Sequence, residues 1–115
     1  MVPLSRAIGR KRALDMLLTG TPVDAATALD WGLVNRVVPA QMLDEAVREF
    51  TDAILAASPL TVRLGKEAFY RTLHLGEPEA YALATDVMTA NAKTRDAQEG
   101  MAAFLQKRPP VWRGE

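Results

Sequence analysis

Cysteine is missing from this chain of 115 residues. That excludes disulfides, thiolate nucleophiles and cysteine metal sites, and a single histidine, His74, cannot build a histidine cluster. No metal site and no resident cofactor is expected. An excess of charge of one sign is missing as well. Lys plus Arg and Asp plus Glu both total 14, so no net field draws the chain to nucleic acid or to an acidic membrane. Long apolar runs are also lacking. The stretch from Ala13 to Leu18 is broken by Asp15, far short of the ~20 residues that a membrane span needs, and no charged-then-apolar leader precedes it. The expected partners are a small molecule or another protein, and the expected location is the cytoplasm. There is neither a repeat at a solenoid period nor a low-complexity linker. One domain is the ceiling at this length.

What is present is helix punctuation. Gly9, Gly20 and Gly32 each follow an apolar-periodic stretch, where a residue able to take the left-handed conformation is expected after a helix. Three short helices are predicted first: one beginning near Pro3 or Ser5, one over about Arg10 to Leu18, and one capped by Asp24 that ends before Gly32. Leu33, Val34, Val37 and Val38 then form a β-branched run closed by Pro39, the one strand candidate. From Ala40 onward, Leu43, Val47, Phe50, Ile54 and Ala57 recur at three and four residues and mark one side of a longer helix. Ser58 and Pro59 stop it and start the next, which runs to about Leu73. A further helix is predicted from about Glu79 to Lys93, with Ala80, Ala84, Val87, Met88 and Asn91 on one side. A last one includes Met101, Phe104 and Leu105 and ends before Pro109 and Pro110. The class is mainly α: about four longer helices, short N-terminal helices and at most one short strand. Residues 1–39 are read as short helices and a connector, 40–108 as a helical region and 109–115 as a tail, together one domain. The tail is expected to fray unless Trp112 docks on something.

Two stretches carry a resemblance. Leu18-Thr19-Gly20, Val23-Asp24-Ala25-Ala26, Ala28 and Gly32-Leu33-Val34-Asn35-Arg36-Val37-Val38-Pro39 form the first. Ser58-Pro59 with Lys66, then Asp96, Glu99-Gly100, Ala103-Phe104-Leu105 and Lys107-Arg108-Pro109 form the second. In residue type and spacing they are similar to the C-terminal helical part of the enoyl-CoA hydratase/isomerase (crotonase) family. Phe104 to Trp112 resembles the branch of enoyl-CoA hydratase domain-containing proteins.

The resemblance implies an acyl-CoA enzyme whose N-terminal domain supplies two backbone N–H groups to the thioester oxygen. It also implies two glutamates that handle the proton and the attacking water. Those groups lie upstream of the matching stretches, so no catalytic residue is expected in this chain. Asp44, Glu45 and Glu49 beside Arg48 read as a solvated face, Asp24 as a cap, and Asp96 and Glu99 as acids preceding the last helix and suiting its N-terminal end. By the same resemblance, Phe104 and Lys107 are candidate coenzyme A contacts, the ring toward the adenine and the ammonium toward phosphate. Ordinary core for Phe104 and solvated charge for Lys107 remain open beside that role. Met88 stands where many hydratases carry an aromatic bordering the adenine. Arg10-Lys11-Arg12, without interleaved aromatics, reads as a solvated helix start, and His74 as structural or exposed.

Two functions follow. The chain is expected to be a segment of an acyl-CoA enzyme that contributes oligomer contacts, in a trimer or hexamer, and the edge of a coenzyme A site, and to be inactive alone. The alternative is a free-standing helical oligomerisation or interaction module derived from the same family, motivated by apolar stripes in excess of what the helices can cover.

Overall fold

The computed structural model describes residues 2–115. Among them run seven α-helices: α1 (Val2–Ala7), α2 (Arg10–Thr19), α3 (Ala25–Asp30), α4 (Leu43–Leu55), α5 (Pro59–Thr72), α6 (Glu77–Ala92) and α7 (Arg95–Leu105), with a 3-10 turn at Ala40–Met42 before α4. The chain divides into two compact units, 1–46 and 47–115, with the boundary inside α4.

In the first unit, local signals set the helix ends. Gly20 takes φ 65°, where its N–H reaches the carbonyl of Met16 and closes α2. Asp24 caps α3 by accepting from the Thr27 N–H at 2.7 Å. Gly32, at φ 76°, lets the chain reverse so that the Leu33 N–H bonds back to Ala28 O at 2.9 Å. Gly9 differs from expectation: at φ −60° and ψ 145° it is extended and starts α2 rather than ending α1 left-handed. The Arg12 guanidinium lies 5.2 Å from the Trp31 ring centroid and 3.6 Å from the Asp30 carboxylate. It therefore ties α2 to the end of α3. Leu33 to Val38 form no strand, because a strand needs a partner ladder and the described residues offer none.

The second unit is a packing of α5 on α6, with α7 against both. Leu60, Leu64, Ala68 and Thr72 of α5 are half-buried at a spacing of four, as are Ala80, Leu83, Ala84, Val87 and Asn91 of α6. Met88 is not on that stripe, being 66% exposed, and Leu83 takes the inward place. Pro78 fits within the first turn of α6, so the helix begins at Glu77, before Glu79. The last helix begins at Arg95 under a Thr94 cap that accepts from the Ala97 N–H at 3.1 Å. Asp96 and Glu99 therefore lie inside α7 rather than ahead of it.

Large apolar side chains stay in solvent. The stripe Leu43, Val47, Phe50 and Ile54 of α4 is exposed, as are Phe69 and Tyr81. Fully buried hydrophobic residues among those described are small in number: Ile8, Ala13, Ala28 and Ala103. Helical pattern thus outruns burial in this chain.

Candidate functional site

The C-terminal tail is held down by one buried acid. Asp96, 1% exposed, sits in the first turn of α7. Its carboxylate accepts from the Ser58 hydroxyl at 2.6 Å, from the Arg113 N–H at 2.8 Å and from the Gly114 N–H at 3.0 and 3.2 Å. The Asp96 N–H in turn donates to Glu115 O at 2.8 Å. These donors, the Ser58 hydroxyl first and the Arg113 N–H next, hold the carboxyl below its ordinary value even though burial acts to raise it. Every buried side-chain polar atom among the described residues has a partner. Ser58 has two tasks, because the same hydroxyl oxygen accepts from Thr61 N–H at 3.2 Å and caps α5.

One turn further along α7, Glu99 makes a second clamp. Arg108 donates to its two oxygens at 2.6 and 2.9 Å, and the Val111 N–H adds a bond at 2.9 Å. The two-pronged guanidinium bond, then the Val111 N–H, pull the Glu99 carboxyl from 4.5 to about 2. Trp112 completes the docking. Its indole N–H donates to Ala56 O at 2.7 Å, and its ring passes Gly100 so closely that a Cβ there would sit 3.2 Å from the ring edge. The tail is therefore bound by Trp112, as the sequence reading allowed.

Between these clamps α7 ends in a six-residue reversal. The Arg108 N–H bonds to Ala103 O at 3.0 Å and the Lys107 N–H to Phe104 O at 3.2 Å, with Lys107 itself at φ 52°. A lysine in this left-handed position costs about 1 kcal/mol relative to glycine. Phe104, the residue three before it, is 84% exposed and so is not core. Its ring borders a cleft of about 440 Å³ between α5, α6 and α7, which it shares with Met101, Asn91 and Trp112. Lys107 is exposed but does not line that cleft. The two residues are brought to the same helix end, without a shared pocket. His74 and Met88 are exposed and border neither this cleft nor the tail clamps.

Three of the interactions that shape this region escape sequence reasoning. Asp96 and Glu99 read as acids preceding the last helix and suiting its N-terminal end, and Arg108 only as part of the Lys107-Arg108-Pro109 stretch that carries the resemblance. The spacing between Ser58 and Asp96, 38 positions, carries no local signature. The available hint was Trp112 in an otherwise polar tail, since a tryptophan seeks both apolar cover and a partner for its N–H.

Comparison with known proteins places this arrangement. A family model described as enoyl-CoA hydratase/isomerase matches residues 2–115. The chain is 46% identical over 114 residues to the human mitochondrial enoyl-CoA hydratase domain-containing protein 3, covering 99% of this chain and 38% of that protein. It is 45% identical over 111 residues to the Rattus norvegicus protein of the same name, covering 96% of this chain and 37% of that protein. Among solved structures, the human domain-containing protein 3 superposes with a TM-score of 0.93 at 46% identity, over 96% of this chain and 44% of that one. An enoyl-CoA hydratase of Mycobacterium smegmatis gives 0.92 at 43% identity, over 96% and 43%. The chain thus spans about two fifths of the length of the relatives it matches.

Proposed function

This chain belongs to the enoyl-CoA hydratase/isomerase family, as its C-terminal helical part, and from that premise we propose that it supplies the rim of a coenzyme A thioester site and the contacts of an oligomer, without catalysing a reaction by itself. The observation that carries this reading is the end of α7. Phe104 stands 84% exposed, and Lys107 follows it in a left-handed conformation that costs folding energy. An uncovered aromatic face can stack on a base for about 1–3 kcal/mol. An ammonium beside it can meet phosphate as a mobile point charge. The proposed ligand is the adenine and phosphate end of an acyl-CoA, the acyl group being held by the part of the family fold that lies outside this chain.

Calorimetry with coenzyme A tests the proposal. Weak binding is expected for the chain, further weakened by Phe104→Ala and by Lys107→Ala. Identical null behaviour of all three forms would remove both residues from the site. Purified chain is expected to leave crotonyl-CoA unhydrated, and hydration above background by preparations free of contaminating enzyme would overturn the inactive reading.

The second reading, a free-standing oligomerisation module, rests on the exposed stripe of α4 and on Phe69 and Tyr81. Trimers or hexamers are the proposed assemblies. Light scattering that finds a monomer across concentrations would end both this reading and the oligomer role. Among the described residues no helix is long and apolar enough to cross a membrane. The cytoplasm is the proposed location, and recovery of the chain in a mitochondrial fraction would overturn it.

A further inference from the structure

A second cleft, which also borders Trp112 but not Phe104, is unlike the first in chemistry. Its walls are Ile54 and Leu55 from the end of α4, Ala57 from the link, Pro59 and Val62 from α5, and the Trp112 ring, enclosing about 510 Å³. That volume falls within the ~300–1,000 Å³ of small-ligand sites. Pro59, Val62, Arg63 and Lys66 stand at i, i+3, i+4 and i+7, so one face of α5 presents apolar groups at its start and two cations toward its middle. Arg63 and Lys66 also line the cleft, and both are exposed. No carboxylate lines it. Neither cation is a partner in the ion pairs formed by Arg12, Arg95 and Arg108.

We infer that this cleft binds a single-chain anionic amphiphile, such as a long-chain carboxylate, with the alkyl chain against Leu55, Val62 and Trp112 and the head group between Arg63 and Lys66. Three features converge on that class. The apolar walls favour a chain over a sugar or a nucleotide. Two cations with no acid of their own favour an anion over a neutral head. The fixed Trp112 wall, pinned through its N–H to Ala56 and backed by Gly100, makes the cleft preformed rather than dependent on ordering of the tail. Phe104 and Lys107 do not line it, so it is separate from the coenzyme A rim proposed above.

The test is titration of the full 115-residue chain with dodecanoate below its micelle concentration, followed by calorimetry and by the NMR indole resonance of Trp112. Saturable binding that shifts the Trp112 resonance and leaves that of Trp31 in place is expected. Dodecanol is expected to bind ~10-fold more weakly, and so is dodecanoate to an R63Q/K66Q variant, because each comparison removes the charge contact alone. R63K/K66R should bind as the parent does, and unchanged thermal melting of all variants separates lost binding from lost folding. Equal affinity for dodecanol, undiminished binding by R63Q/K66Q, or an unmoved Trp112 would each overturn the inference. So would binding confined to phosphatidylglycerol vesicles, which would assign the face to a lipid surface, or protection of Trp112 by self-association alone, which would assign it to a second copy.

Discussion

The Ser58 hydroxyl donates to the Asp96 carboxylate at 2.6 Å, joining the first turn of α5 to the first turn of α7 across 38 positions of sequence. Around this bond the tail is fastened, because the same carboxylate receives the backbone of Arg113 and Gly114. The two helix starts and the tail are one hydrogen-bonded unit, and removing any member leaves another without its partner.

Ser58→Ala should therefore cost more than an ordinary cap. Loss of the cap is worth ~1 kcal/mol, and a buried acceptor left short of a donor adds about 1–3 kcal/mol. Urea denaturation followed by circular dichroism is expected to show a loss of roughly 2–4 kcal/mol. A loss below ~0.5 kcal/mol would mean that water takes the place of the hydroxyl.

Asp96→Asn keeps the side-chain volume but removes the charged acceptor. Hydrogen exchange at the Arg113 and Gly114 amides should quicken by roughly tenfold or more, while the amides in the middle of α5 keep their protection, since the opening is local. The Trp112 emission should move to longer wavelength as the indole leaves its seat. Unchanged exchange at both amides would show that Trp112 and the Glu99 clamp hold the tail without Asp96.

Acid should loosen the same region. Glu99 has its folded value depressed from 4.5 to about 2 by Arg108 and the Val111 N–H, and Asp96 is lowered in the same sense. A depressed carboxylate contributes stability that is fully present above its unfolded value and disappears as pH falls through the folded one. Stability measured by chemical denaturation should thus decline from about pH 4.5 toward pH 2. Glu99→Gln should flatten that decline in part, with the remainder due to Asp96. An acid limb identical in the parent and in Glu99→Gln would refute the assignment.

Lys107→Gly separates folding from ligand contact. Glycine relieves the left-handed strain, so the variant should gain about 1 kcal/mol in thermal or urea unfolding, while coenzyme A binding weakens. A variant both less stable and equal in binding would contradict both roles of the residue.

Much of this fold is legible residue by residue in the sequence. Asp24 and Ser58 cap the helices that their neighbours predict, and Gly20 and Gly32 end helices in the left-handed conformation. Such signals act within four or five residues, which is why a single sequence reveals them. Long-range partners are where that reading fails. The strand expected at Leu33–Val38 had β-branched residues but no ladder to join. Met88 sits one residue from Val87, and a small error in helical phase moved it from the packed side to solvent. Asp96 read as an acid ahead of the last helix, because its partners Ser58, Arg113 and Gly114 are local to nothing in its own segment. Of the candidate site, the exposure of Phe104 could not be read from a stripe shared with Met101 and Leu105, as it depends on whether another element covers that side.

Gly100 lies mid-helix, where glycine costs ~1 kcal/mol relative to alanine, and Trp112 lies against it, adding an apolar seat to a tail that the Asp96 and Glu99 carboxylates hold by hydrogen bonds. The missing methyl and the indole are two halves of a single constraint, so the two positions should not drift independently among relatives. Where a side chain appears at the position of Gly100, a smaller residue is expected at that of Trp112, and with it a freer tail and a shallower lining of both clefts that Trp112 borders. A pair so coupled gives a way to sort family members by whether the C-terminal segment is built in or merely attached.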